Sequence, residues 1–215
     1  MHKPSMGLSL EGMPFIFLTT VATIAVAVLG SWLLTLGFLI VLFLVLNFFR
    51  DPERVVPQDG YVAVSPADGK IIKIDTRPDP LTGEEKKVIC VFMNVFNVHV
   101  NRMPVAGRIA RISYFGGKFF NASFDKASSD NERNAVLIED QHGQNWTMVQ
   151  IAGLIARRII CWAEEGDELA RGQRFGLIKF GSRVDLFIPE DYEPCVCIGE
   201  KVFAGQTIVA QKQHT

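Results

Sequence analysis

The chain has 215 residues, room for one ordinary domain and an appendage but not for two full enzyme domains. A net charge of −1 from 22 basic and 23 acidic side chains argues against a nucleic-acid binder, and 48% hydrophobic content excludes a disordered chain. Four cysteines are too few for a disulfide scaffold, and the charge is unevenly placed, with only Lys3 and Glu11 before position 50.

Gly12 to Phe49 is a run of 38 residues without a charged side chain. One helix of that length would measure about 57 Å, nearly twice a hydrocarbon core of about 30 Å. Two helices broken at Gly30-Ser31 fit better, Met13–Leu29 and Trp32–Phe49, forming a transmembrane hairpin over residues 1–49. A tilted single span or a re-entrant hairpin is the alternative. A secretory signal would need an apolar core of only 7 to 15 residues, which this run far exceeds. Lys3 before the run and Arg50 and Arg54 after it favour a cytoplasmic position for both ends, and so for the domain at 50–215.

Beyond Arg50-Asp51-Pro52-Glu53-Arg54 the pattern changes to short β-branched runs separated by Gly, Pro, Asn and Asp. Strands are predicted at Tyr61–Ser65, Lys70–Asp75, Lys87–Met93, Arg108–Tyr114, Ala135–Glu139 and Thr147–Ala152. Further strands are predicted at Arg158–Trp162, Phe175–Phe180, Val184–Ile188, Cys195–Ile198 and Thr207–Ala210. Gly117–Asn131 reads as loop or short helix. The fold class is therefore mainly β, in an α+β chain with an N-terminal helical hairpin.

Two internal repeats punctuate this region. Gly166 to Gln173 matches Gly199 to Gln206 in its Gly, acid, apolar and Gly-Gln positions, and Pro66 to Ile71 echoes Pro104 to Ile109. Such turns resemble the hammerhead corners of lipoyl-type barrel-sandwich folds, although Gly-Gln after a tight turn is also ordinary turn chemistry. Cys90, Cys161, Cys195 and Cys197 form no CxxC pair and have no His at metal-ligand spacing, so they read as buried apolar thiols and no metal is expected.

Several residues carry possible chemistry. His99 follows an apolar strand and could act as a general base near neutral pH, although a lone strand histidine more often serves packing. Gly181-Ser182 lies between two strand-like runs. A glycine there leaves its carbonyl sterically open to attack by the next hydroxyl, yet Gly-Ser is also a common turn dipeptide. Asp68, in Ser65-Pro-Ala-Asp-Gly69, could orient a histidine as the third member of a triad does, or simply make a turn. Arg102, Arg133, Arg157, Arg158 and Arg183 are available for bidentate phosphate contacts.

Together these pieces resemble the membrane-associated phosphatidylserine decarboxylases, in the short subgroup. The motifs are Phe48-Phe49-Arg50-Asp51-Pro52 after an apolar N-terminus, Ser65-Pro66-Ala67-Asp68-Gly69, the His99 segment ending in Met103-Pro104, Asn131-Glu132-Arg133, and a late Gly181-Ser182, in the family's order. The resemblance implies a proenzyme that cleaves itself between Gly181 and Ser182 into a β chain, 1–181, and an α chain, 182–215. Ser182 would become an N-terminal pyruvoyl cofactor that forms a Schiff base with the amine of a serine phospholipid. His99, oriented by Asp68, is the implied base, and loss of CO₂ would leave an ethanolamine phospholipid.

Two departures from the longer members matter. Arg183 follows Ser182 where those members have a small hydroxyl residue, and Arg102 stands where they have a second histidine before Met-Pro. Arg183 and Arg102 thereby join Arg133, which lies in the family-like Asn-Glu-Arg, as substrate-binding candidates. The expected partners are the lipid substrate, the membrane and the two cleaved chains held together. A competing reading is a non-enzymatic membrane-anchored adaptor with a lipoyl-like β-domain, which accounts for the repeats but not for Asp68, His99 and Gly181-Ser182 together. A lipoyl or biotinyl carrier would need a lysine on the hairpin tip of the barrel, and no Met-Lys-Met or Asp-Lys-Ala tip lies between the repeats.

Overall fold

A computed structural model describes residues 7–123, 127–154, 158–179 and 181–213. Lys3, Arg157 and Phe180, named above, lie outside them. The chain divides into two compact units, residues 1–53 and 54–215.

The first unit is a pair of helices, α1 (Met13–Val28) and α2 (Trp32–Phe48), joined at Gly30, whose φ of 77° is the left-handed conformation that ends α1. With its preceding 3-10 turn, Leu10–Val28 spans 19 residues and is long and apolar enough to cross a membrane; α2 is shorter, at 17 residues. Both helices expose large apolar side chains, including Phe17, Leu18, Trp32 and Leu33, as suits a lipid environment rather than water. Thr19, Thr20, Thr23 and Thr35 return their hydroxyls to carbonyls one turn back, so these polar groups are satisfied within the helix. The open end of the hairpin is clasped: Ser9 N–H donates to the Phe49 carbonyl at 2.8 Å, Asp51 N–H donates to Gly7, and the Phe15 and Phe49 rings stack.

The second unit holds fourteen strands among the described residues. The first seven are β1 (Val62–Val64), β2 (Gly69–Pro78), β3 (Glu85–Met93), β4 (Val100–Arg102), β5 (Gly107–Phe115), β6 (Arg133–Asp140) and β7 (Asn145–Ala152). The rest are β8 (Ile159–Cys161), β9 (Glu168–Leu169), β10 (Arg174–Ile178), β11 (Ser182–Ile188), β12 (Tyr192–Pro194), β13 (Lys201–Val202) and β14 (Ile208–Lys212). A short helix, α3 (Ala127–Asp130), falls in the predicted loop-or-helix stretch. The main sheet is antiparallel in the order β13-β2-β3-β11-β7-β6-β5-β9, flanked by the three-stranded sheets β1-β14-β12 and β4-β10-β8.

That order reads alike from both ends, and the hydrogen bonds show why. Gly205 N–H donates to Ser65 as Gly172 N–H does to Met103, and Gly199 N–H donates to Ile71 as Gly166 N–H does to Ile109. Val64 N–H donates to Pro104 while Arg102 N–H donates to Pro66, a reciprocal exchange between the two copies. Both long hairpins also slip register at the same place, Ile71/Lys73 and Ile109/Arg111. The Gly-Gln repeats are thus the corners of a twofold module. Strands β4 to β10 form one copy, inserted between β3 and β11 of the other.

The interior divides by side-chain alternation along the central strands. Val184, Leu186 and Ile188 of β11 join the large core with Met93, Met148 and Trp146; the opposite face carries Cys90, Val149, Ile151 and Phe187. The strand expected at Cys195–Ile198 does not form. Tyr192–Pro194 pairs with β14 instead, and residues 195–198 turn toward Gly199, whose φ of 96° the corner requires, with Cys197 N–H donating to the Glu200 carboxylate. Cys195 and Cys197 are consequently exposed rather than buried, and Cys161 is half-buried; Cys90 alone of the four is buried.

Candidate active site

Strand polarity brings Asp68 and Ser182 to one end of the main sheet, while His99 enters the smaller sheet β4-β10-β8. Ser182 opens β11 and pairs with Met93 at the end of β3 and with Ala152 at the end of β7. Asp68 immediately precedes β2, which lies on the other side of β3. His99 immediately precedes β4, and its carbonyl accepts from Ile178 N–H, four residues before Ser182.

Gly181 has φ 59°, the left-handed region that a side chain resists, and so turns the chain into β11. Ser182 is fully buried, and its Oγ has no hydrogen-bond partner among the described residues. A buried hydroxyl left in that state is costly and calls for a reason. Nδ1 of His99 lies 2.9 Å from the Asn97 carbonyl, an acceptor only, so Nδ1 carries the proton and Nε2 is the basic nitrogen.

The Asp68 carboxylate accepts from Ala204 N–H at Oδ1 and from the Arg54 guanidinium at Oδ2, both at 2.8 Å. Arg54 also donates to Gln206 Oε1 at 2.7 Å and lies over the Phe203 ring. Arg102 is buried in the same corner, donating to the Gly172 carbonyl at 3.0 Å and packing its stem against Gly205.

Arg183 points away from Ser182. It is fully buried, its Nε and one terminal nitrogen grip the Asp185 carboxylate, and Arg77 donates to the same carboxylate. Arg183 also donates to Cys90 Sγ at 3.0 Å. Burial works against the Arg183 charge, but Asp185 and Cys90 outweigh it and raise its pKa; burial, aided by Asp185, pushes the Cys90 thiol up to about 12. Arg133 lies in the same cross-strand row as Ile151 and Arg183, with its guanidinium over the Phe115 ring. Both arginines therefore occupy the face opposite Ser182.

Several contributors were not singled out from the linear sequence. Asn131 holds the loop to the site through Phe120 and donates to the Ala152 carbonyl at 2.7 Å. A buried amide chain runs from Asn134 through Gln150 to Asn101, two residues beyond His99. Gly153 abuts Gly181. An Ala-Gly closing an apolar strand was the available hint of a close backbone approach, and Asn131 sits in a motif already noted.

Residues 41–210 match the family model for phosphatidylserine decarboxylase. The chain belongs to the phosphatidylserine decarboxylase family. A phosphatidylserine decarboxylase proenzyme of Nitratidesulfovibrio vulgaris is 58% identical over 212 residues, covering 99% of this chain and 98% of the relative. Those of Oleidesulfovibrio alaskensis and Burkholderia cenocepacia are 56% and 47% identical over 214 residues, each covering 100% of this chain and 98% and 100% of the relative. The chain is accordingly a decarboxylase, and the adaptor reading is set aside. The decarboxylase fold places its late Gly-Ser where the inserted module rejoins the first.

Proposed function

We propose that this decarboxylase acts on phosphatidylserine at a membrane, through a pyruvoyl group that it makes by cleaving its own Gly181–Ser182 bond. The carrying observation is the buried, unpartnered Ser182 Oγ directly after the left-handed Gly181. In the maturation read here, Oγ bonds to the Gly181 carbonyl carbon as the Gly181–Ser182 C–N bond breaks, and the hydroxyl proton passes to the freed nitrogen. Removal of the Ser182 α-proton then expels the ester oxygen, leaving residues 1–181 with a terminal carboxylate. Water displaces the nitrogen as ammonia and leaves the pyruvoyl group on residues 182–215. His99 Nε2 is assigned as the base and Asp68, charge-paired with Arg54, as its electrostatic support.

An orphaned hydroxyl at this position suits the group, which supplies a reactive carbonyl and an electron sink for decarboxylation. Arg183 and Arg133, on the other face, are assigned to the fold; of the three arginines, Arg102 remains the headgroup candidate. The two chains stay associated because β11 is hydrogen-bonded along its length to both β3 and β7. The helical hairpin, flanked by Lys3, Arg50 and Arg54, holds the domain at the cytoplasmic face of the cell membrane.

A denaturing gel with intact-mass analysis tests this reading. The expected products end at Gly181 and begin with pyruvoyl in place of Ser182, and Ser182→Ala stays one chain without activity. An active wild-type preparation of intact chains would overturn it.

A further inference from the structure

A methyl group placed on Gly153 would lie 1.9 Å from the Gly181 carbonyl oxygen and 2.9 Å from its carbon. The oxygen therefore sits at most about 3.4 Å from Gly153 Cα, in the range of a Cα–H···O=C contact. We infer that Gly153 positions the scissile carbonyl: its missing side chain lets the Gly181 oxygen seat against the end of β7, which fixes the peptide plane that Ser182 Oγ must attack. This rests on the self-cleavage reading above.

Three features support it. Gly153 directly follows Ala152, the cross-strand partner of Ser182, so the contact is set by the same ladder that places the nucleophile. The Ala152 carbonyl is held from outside by Asn131, which stabilises the end of β7 just where the contact is made. Among the described residues nothing stands where a Cβ of Gly181 would project, so its own need is the positive φ, and the steric constraint belongs to Gly153.

As Oγ closes on the carbonyl carbon, the C=O pair moves onto the Gly181 oxygen, which then points at the Gly153 α-hydrogens. When the C–N bond breaks, the pair returns to the C=O bond and the hydroxyl proton ends on the Ser182 nitrogen. A side chain at 153 would push the carbonyl out of that plane before the attack.

An added methyl would likewise lie 2.2 Å from the Phe92 carbonyl oxygen at Gly69 and 2.4 Å from that of Glu139 at Gly107. Those carbonyls do not react, so Gly107→Ala is the control for a purely structural effect. In the full-length chain, Gly153→Ala should slow self-cleavage at least tenfold, whereas Gly107→Ala should cleave at close to the wild-type rate. Thermal midpoints of both substitutions in a Ser182→Ala background, where nothing cleaves, give the structural effect separately.

Wild-type cleavage in Gly153→Ala overturns the inference, as does slowing no greater than Gly107→Ala shows at matched stability. Should Gly153→Ala fail to fold, solid-state NMR of the Ser182→Ala chain tests the geometry without that substitution. A contact between the assigned Gly181 carbonyl and Gly153 α-carbon resonances is expected, and its absence overturns the inference. A wild-type chain that never cleaves overturns the self-cleavage reading as well, which distinguishes the two failures.

Discussion

Arg54 is bound to Asp68: its guanidinium donates to Oδ2 at 2.8 Å while the same carboxylate accepts from Ala204 N–H at Oδ1. Both side chains are nearly buried, at 12% and 6% exposure, so the pair is little screened by solvent. Arg54 also reaches Gln206, which ties the segment ahead of β1 to a corner of the twofold module. The guanidinium makes the two bonds from two separate nitrogens in a rigid plane, whereas a lysine would have to make both from one. Arg54→Ala should slow maturation by about tenfold, the loss of roughly 1.4 kcal/mol of support for the assigned base, and Arg54→Lys should fall between. Cleavage time courses on gels check this, and unchanged rates in both variants would remove Asp68's charge pair from the maturation step.

Gly181→Ala separates strain from crowding. Among the described residues, no atom outside its chain neighbours stands within 4 Å of the added methyl, so the cost is the left-handed backbone, about 1–2 kcal/mol. The thermal midpoint measured in the Ser182→Ala background should fall by only a few degrees. Cleavage of the Gly181→Ala single variant should slow far more than that loss implies, because the carbonyl would turn. Equal cleavage rates would show that the positive φ is not required for the reaction.

His99→Gln retains a polar side chain but has no basic imidazole nitrogen. Its chain should remain uncut, or be cut at least a hundredfold more slowly, the usual scale for losing a general base. Mass spectrometry of freshly made protein decides; prompt formation of the 182–215 chain would exclude His99 as the maturation base.

Asp185→Asn would leave Arg183, fully buried, without its carboxylate, and Arg77 without its shared partner. Breaking one side of a buried pair costs about 3–5 kcal/mol, so the variant should unfold at markedly lower denaturant. A stability change under 1 kcal/mol would mean the pair is not closed in solution.

Alkaline pH should weaken the fold in a defined window. Burial raises both Cys90 and Tyr192 to about 12, so each is held neutral in the folded state while the unfolded chain ionises sooner. Their contribution is complete below the unfolded values, about 8.5 for the thiol and 10 for the phenol, and drains away as pH rises toward 12. Thermal midpoints should therefore drop between pH 9 and 11, less so in Cys90→Ala with Tyr192→Phe. A thiol reagent at pH 8 should modify exposed Cys195 and Cys197 quickly and Cys90 only on unfolding.

Much of this was legible in the chain because its signals are local. The uncharged run marks the helices, β-branched alternation marks the long strands, and the spaced glycines mark the corners, at φ 75° for Gly172 and 73° for Gly205. What escaped is non-local or brief. Strand β4 has three residues beside a histidine and no alternation to count, and Cys195–Ile198 looked like a strand because its apolar spacing hides a corner set by Gly199. Arg183 beside Ser182 suggested a substrate contact, yet adjacent strand residues face opposite ways, and Asp185, two places on, shares its face. The Arg54–Asp68 pair and the approach of Gly153 to Gly181 join segments that only the folded sheet brings together.

The nested order of the two copies has a mechanical result. In the inserted copy, β6 passes to β7 through the tight turn at Asp140–Asn145. In the outer copy, the equivalent passage from β3 to β11 is a gap filled by the whole insert. The Gly181–Ser182 bond is the seam where the chain comes back. A cut at that seam would leave residues 183–188 of β11 paired with β3, and Ile208–Lys212 zipped to Val62–Val64. The molecule can thus gain a new chain end inside its sheet while every strand remains moored.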